Sequence, residues 1–256
     1  PPILAMQLRQ LYGDGALEMV RENPYLLSGD VCGVAFSITD EIAMSMGIPA
    51  ESAQRLQAAV TFELSHNENN GHVFLPRYKL TAATCQLLQS GPEPVEAAID
   101  ALVEQGAVVQ EQVANVEACY LRRLWEAEQS ACLRLGTLLA ASADTSAQAD
   151  RTLAEIEAET GVTYAPQQRQ AVRLAARTGV VILTGGPGTG KTTTVRGIVA
   201  LFRKMGLDIV LAAPTGRAAK RMSELTGMEA QTIHRLLGMT WKEGVVTFQK
   251  TEREPL

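Results

Sequence analysis

Long apolar runs are missing from this chain. Nowhere in its 256 residues is there a stretch long enough to cross a bilayer as a helix. No signal-peptide pattern opens it either. Cysteine is sparse: Cys32, Cys85, Cys119 and Cys132 show neither close pairing nor metal-ligand spacing. The expectation is therefore reduced packing residues in a cytoplasmic protein, with no disulfide framework, zinc site or membrane partner. No internal repeat is evident beyond paired helical turns near the N-terminus. What is there, 46% apolar and 20% charged residues, is a globular composition. The length suits one large or two ordinary domains with a sizeable core.

Charge of one sign is also short in each half. Residues 1–167 hold 9 Lys+Arg against 22 Asp+Glu, a net of −13. Residues 168–256 hold 14 against 6, a net of +8. The second half attracts a polyphosphate or a nucleic-acid backbone, and the first, taken as a whole, repels one. Arg77 and Lys79 make a local basic spot in the acidic half.

The first ~140 residues read as mostly helical. Leu4–Arg21 has apolar residues at helical spacing, broken by Gly13 and Gly15 and stopped by Asn23-Pro24. Residues 31–36 form a short apolar turn before a helix near Asp40–Met46. Glu51–Leu64 and Pro94–Gln105 are further helices, with a polar loop at His66–Gly71. Val108–Gln112 and Val116–Tyr120 suit a hairpin turning at Ala114-Asn115, and a helix followed by a strand pair is a winged-helix-like pattern. Leu121, Leu124, Ala127, Ala131, Leu135, Leu138 and Leu139 make the apolar stripe of a long helix, expected to face the core. The small, polar stretch Ala141–Ala149 is the linker expected between two domains, 1–150 and 151–256.

From Gln167 the period changes. Gln167–Arg177 reads as a helix, Val180–Leu183 as a strand, Thr193–Met205 as a helix, Asp208–Ala212 as a strand and Arg217–Leu225 as a helix, with a further strand at Val245–Phe248. Such alternation indicates a parallel α/β sheet.

Between the first strand and its helix stands Gly185-Gly-Pro-Gly-Thr-Gly-Lys-Thr192, which fits the phosphate-binding loop G-x-x-x-x-G-K-[ST]. Glycines let backbone N–H groups turn toward a di- or triphosphate, and the helix N-terminus adds favourable partial charge. Lys191 is placed to reach the β- and γ-phosphates, and the Thr192 hydroxyl to ligate Mg²⁺. The nucleotide set is Gly186, Gly188, Thr189, Gly190, Lys191, Thr192 and Thr193. After the second strand, Thr215 and Gly216 open a helix carrying Arg217, Lys220 and Arg221, which suits phosphates of a second, polymeric ligand. His234 follows in Thr232-Ile-His-Arg-Leu-Leu237, where Leu236 and Leu237 read as core. Spacing alone leaves Gln168 as an exposed helix residue, although its amide can both donate to and accept from an adenine edge.

Taken in order, Gln168, the phosphate loop, Ala213-Pro-Thr-Gly-Arg-Ala-Ala219 and Thr232–Leu237 resemble the Q motif and motifs I, Ia and Ib of superfamily 1 helicases. They are most similar to the RecD-like subfamily with a long N-terminal extension. Leu11–Ala16, Asn23–Leu27, Gly33–Phe36 and Gly71–Pro76 resemble that extension, which contains helix-hairpin-helix elements. The resemblance implies a mostly α N-terminal domain followed by an incomplete α/β RecA-like domain. It also implies that Gln168 contacts adenine, that Gly188–Thr192 hold ATP, and that Thr215, Gly216, Arg217 and His234 lie along single-stranded DNA. ATP hydrolysis would then drive 5′-to-3′ translocation.

Two departures bear on function. A helix-hairpin-helix turn usually has a second glycine where Ala35 stands, and with the acidic charge this favours packing or protein docking over duplex binding. Hydrolysis needs a carboxylate pair on a later strand. No Asp-Glu pair follows the phosphate loop, and Asp40-Glu41 precedes it as an expected helix start. The expectation is an N-terminal piece of a longer motor, cut before motif II, that binds nucleotide without turning it over. No guanine-reading Asn/Thr-Lys-x-Asp follows a strand, which argues against a GTPase. Another P-loop ATPase, or a non-enzymatic DNA-binding or docking module with a vestigial motor, stays open.

Overall fold

The computed structural model describes residues 2–29, 32–140, 146–242, 245–251 and 253–256. Helix accounts for 62% of it, as the mostly helical reading requires. The chain divides into two compact units, Pro1–Cys132 and Leu133–Leu256.

In the first unit, α1 (Pro2–Tyr12) and α2 (Ala16–Glu22) are separated by a 3-10 turn over Gly13–Gly15, where the glycines break the pattern. Asn23 ends α2, and its side chain accepts from Tyr25 N at 3.1 Å. Then come α3 (Phe36–Ser45) and α4 (Ala53–Glu68). Ser52 caps α4 by accepting from Arg55 N. Helix α4 runs into the segment expected as a loop. Asp40 lies one turn inside α3 instead of at its start.

The rest of the unit is β1 (Leu75–Pro76), α5 (Arg77–Leu88), α6 (Pro92–Glu104), β2 (Val108–Val113) and β3 (Val116–Leu121). Both β1 and β2 pair antiparallel with β3, giving the order β1-β3-β2. This is the winged-helix-like element, and its core joins Leu56 and Val60 of α4, Leu80 of α5, Val95 and Ile99 of α6, and Val108 and Cys119 of the sheet. Helix α5 escapes sequence reading because Thr81 and Thr84 occupy two of its buried positions and interrupt the apolar period.

The hairpin closes at Val113↔Val116 with Ala114 and Asn115 both at positive φ, +48° and +66°. That is the twist-matched two-residue turn in which glycine or asparagine is favoured at both places. Ala114→Gly is therefore expected to stabilise this unit by about 0.5–1 kcal/mol, read as a raised melting temperature. A fall would mean that the turn does not hold the left-handed geometry.

Helix α7 (Arg122–Ala140) forms as expected, but its stripe does not face the core throughout. Leu124 packs on the first unit's core, whereas Leu133 is 74% exposed and Leu135, Leu138 and Leu139 are exposed as well. Periodicity shows that an apolar face exists, not that anything covers it.

In the second unit, α8 (Ser146–Thr160), α9 (Pro166–Arg177) and α10 (Lys191–Lys204) pack around Leu153, Ile156, Tyr164, Val172 and Leu201. Of the expected linker, residues 141–145 lie outside the described residues. Residues 146–149 begin α8, where Ala149 is buried. Next are β4 (Leu211–Ala213), α11 (Gly216–Thr226), β5 (Ala230–Thr232), α12 (Ile233–Leu236), β6 (Thr240–Lys242) and β7 (Val245–Thr247). Strands β4 and β5 pair in parallel, and β6 and β7 form a separate antiparallel hairpin.

Two strand expectations need correction. Val180–Leu183 forms no strand, and Ile182 is 85% exposed, because a strand exists only through a paired neighbour and this run has none among the described residues. The segment Val245–Phe248 does pair, through Val245–Thr247, but with β6, so it is not a third strand of the parallel sheet. The partner of β4 is β5, a three-residue segment too short and polar to be seen in the sequence. Among the described residues no helix is long and apolar enough to cross a membrane.

Candidate nucleotide and nucleic-acid site

The loop from Gly185 runs directly into α10, whose first N–H groups, those of Lys191, Thr192 and Thr193, have no partner within the helix. Gly188 and Gly190 hold φ of +78° and +80°, the left-handed region that only glycine occupies without strain. A Cβ at Gly190 would in addition stand 2.2 Å from Gln168 Nε2, so that amide would have to give way. The Thr189 hydroxyl donates to Gly186 O at 2.9 Å. Lys191 Nζ donates to Gly186 O at 2.6 Å and also to Gly185 O, so the ammonium sits over the loop. A cavity of about 290 Å³ opens between this loop and the start of α9, lined by Gln168, Thr184, Gly185, Thr189, Lys191 and Thr194 among others.

Gln168 is more than an exposed helix residue. Its Oε1 accepts from Ala165 N at 3.1 Å, closing the first turn of α9. Its Nε2 donates to Gly190 O at 3.4 Å. Thr194 Oγ1 also donates to Gly190 O, at 3.2 Å. The same carbonyl is thus held from two helices, a role for Thr194 that sequence reasoning missed. The run of three threonines after Lys191 was the available signal, because each stands at a different angle around α10.

The residues expected to touch DNA come from two neighbouring strands. Ala213 of β4 is in register with Thr232 of β5, and the strands are parallel, so Thr215-Gly216-Arg217 and Thr232–His234 leave the sheet at one edge. Thr215 Oγ1 accepts from Ala218 N and Thr232 Oγ1 from Arg235 N, each at 3.2 Å. Each hydroxyl caps a helix and keeps its own O–H to donate. Arg217, Lys220, Arg221 and His234 are exposed, while Ala219 is buried against the sheet; Leu236 and Leu237, expected in the core, are half-buried. The register thus unites two motifs separated in sequence.

The two ends of the chain match two family models. Residues 1–74 match the ATP-dependent RecD2 DNA helicase HHH domain, and residues 168–256, beginning at Gln168, match an AAA domain. Across both ends runs a relative from Deinococcus radiodurans, an ATP-dependent RecD2 DNA helicase. It is 32% identical over 237 residues, covering 89% of this chain and 33% of that protein. This chain belongs to the RecD-like superfamily 1 helicases. The RecBCD enzyme subunit RecD of Mycolicibacterium smegmatis is 37% identical over 142 residues, covering 46% of this chain and 24% of its own length. The same subunit in Haemophilus influenzae is 47% identical over 60 residues, or 22% of this chain. The RecD-like chain therefore spans a third or less of these relatives.

The cradle fits a nucleotide's anionic tail on its own geometry: glycines at positive φ, amides without a partner in the helix and an adjacent ammonium. Of a hydrated Mg²⁺ it could hold one corner, through the exposed Thr192 hydroxyl. The metal's other ligands in such sites are phosphates and waters with one or two carboxylates. Among the described residues no three His, Cys, Asp or Glu side chains converge into a metal site.

Proposed function

We propose that this chain is the nucleotide- and DNA-binding part of an ATP-dependent DNA helicase of the cytoplasm. In this reading 1–150 is the helical extension and 151–256 the first part of the RecA-like motor lobe. The observation that carries it is the glycine-built loop at the start of α10, with Lys191 over it and Gln168 bracing Gly190. Gly186–Thr193 bind the phosphates of ATP, Thr192 ligates Mg²⁺, and Gln168 meets the adenine by a modest turn of its amide. Thr215, Gly216, Arg217 and His234 follow the backbone of single-stranded DNA, which the relatives' names support. Translocation in the 5′-to-3′ sense is the direction implied by the subfamily. The 256 residues alone bind nucleotide and do not turn it over, because no carboxylate pair follows the loop to orient water.

The acidic unit docks a protein. Helix α6, the helix a winged-helix-like element would present to DNA, exposes Glu93, Glu96, Asp100 and Glu104 and no cation. Phosphates would be repelled there.

Fluorescence anisotropy of a labelled oligothymidylate tests the DNA assignment. Arg217→Ala is expected to weaken binding and to reduce the slope of log K against log salt by about 0.7, the share of one phosphate contact on a single strand. An unchanged slope would remove Arg217 from the interface. Guanine nucleotides competing better than adenine nucleotides for the loop would overturn the helicase reading.

A further inference from the structure

A cleft of about 170 Å³ runs along the outer face of α10, walled by the end of α8, by Val162 and Tyr164, and by Thr226 of α11. From α10 it takes Thr193, Arg196, Ala200 and Arg203, with Val199 beside them. These four lie at i, i+3, i+7 and i+10, a single stripe of the helix. Lys191 stands roughly 160° around the axis from Thr193, so the stripe looks away from the phosphate loop. We propose that this cleft is a second phosphate-binding site, which takes a phosphodiester or a pyrophosphate group on Arg196 and Arg203.

The charge arrangement singles these arginines out. Carboxylates of α8 pair with cations of α9 and α10: Glu157 with Arg169, Asp150 with Arg173, and Glu155 and Glu159 with Lys204. Arg196 and Arg203 are in no ion pair among the described residues, and no carboxylate lines their cleft. Ile156, Val162 and Val199 form apolar walls, which lower the local dielectric and strengthen attraction for an anion.

Four hydroxyls line the cleft with them, those of Thr160, Thr226, Thr193 and Tyr164. The Thr160 and Thr226 hydroxyls already donate, to Ile156 O at 2.6 Å and Met222 O at 2.8 Å. Tyr164 and Thr193, whose backbone N–H is the part assigned to the loop, supply the remaining hydroxyls. Burial pushes the Tyr164 phenol up, against the lowering influence of Arg196, so it stays protonated at neutral pH and can donate.

Size and spacing narrow the ligand. The cleft has little more than half the volume of the cavity beside the phosphate loop, so it suits an anionic group and not a whole nucleotide. Arg196 and Arg203 are two turns apart, about 10.5 Å along the axis. A lone carboxylate satisfies one guanidinium. A diester backbone or a pyrophosphate offers oxygens on adjacent groups to both.

The test is calorimetric titration of the 256-residue chain in a Lys191→Ala background, which weakens phosphate binding at the loop. The probes are inorganic pyrophosphate and a short oligothymidylate. Arg196→Gln with Arg203→Gln is expected to weaken one of them at least tenfold. Loss of the oligothymidylate alone identifies a DNA backbone, and loss of pyrophosphate identifies a free phosphate ligand. Arg196→Lys with Arg203→Lys should restore part of the loss, showing that charge and not folding was removed. Unchanged binding of both probes overturns the proposal. So does weakened binding of adenosine, which carries no phosphate and would mean that the cleft reads a base. Failure of the loop to bind ATP would sink the helicase reading and leave this result intact.

Discussion

Lys191→Ala is expected to reduce affinity for a non-hydrolysable ATP analogue on the order of a hundredfold while leaving the melting temperature nearly unchanged. A lysine ammonium makes one or two charge-assisted bonds to phosphate oxygens, together worth about 3 kcal/mol. In the fold itself Nζ bonds only to the exposed carbonyls of Gly185 and Gly186, so little stability goes with it. Gly190→Ala should differ in kind. Alanine would be held at a left-handed φ, and its Cβ would push the Gln168 amide off Gly190, so nucleotide affinity and stability should fall together. Equal nucleotide affinity of wild type and Lys191→Ala, measured by anisotropy, would show that the loop is not the nucleotide site.

The second large effect lies in the acidic unit. Asp40 accepts from Arg55 Nε at 2.8 Å and Nη2 at 2.9 Å, a fork-to-fork pair, and from the Tyr25 hydroxyl at 2.7 Å. Arg55 Nη1 also donates to Ala50 O at 3.0 Å, so one carboxylate ties the turn before α3, α3 itself and the start of α4. Only 12% of the Arg55 side chain and 18% of that of Asp40 meet solvent. Asp40→Asn keeps the volume but strands the guanidinium, at an expected cost of about 2–3 kcal/mol, the low end for a buried pair because some water reaches it. Calorimetry should show the melting of this unit lowered by roughly 10 °C.

The pair also sets a pH dependence. The hydrogen bonds from Arg55 hold the Asp40 carboxyl below the usual carboxylate range, against the raising effect of burial. Its folded value lies below its unfolded value of about 3.9. The contribution is thus complete above that value and is lost as pH falls through the lower, folded one. Stability of the wild type should drop more steeply than that of Asp40→Asn below about pH 4. Parallel curves would mean that the pair contributes nothing. Burial and the bond to Asp40 both push the Tyr25 phenol up, so it donates throughout this range.

Residue order alone determined the phosphate loop, the hairpin at Ala114-Asn115 and most of the helices. Each depends on local chemistry: glycines where φ is positive, alternation closed by a two-residue turn, apolar residues every third or fourth place. Asp40 carried no such signal. Its partners stand 15 residues away on either side, and only packing brings Tyr25 and Arg55 to it. The same holds for Thr215 and Thr232, united by strand register, and for Gln168 on Gly190, united by the approach of two helices. Tertiary structure likewise decided that Val180–Leu183 finds no ladder and that Leu133, Leu135, Leu138 and Leu139 of α7 meet water. Hydrophobicity states what a segment prefers, and pairing and burial depend on which neighbours the rest of the chain supplies.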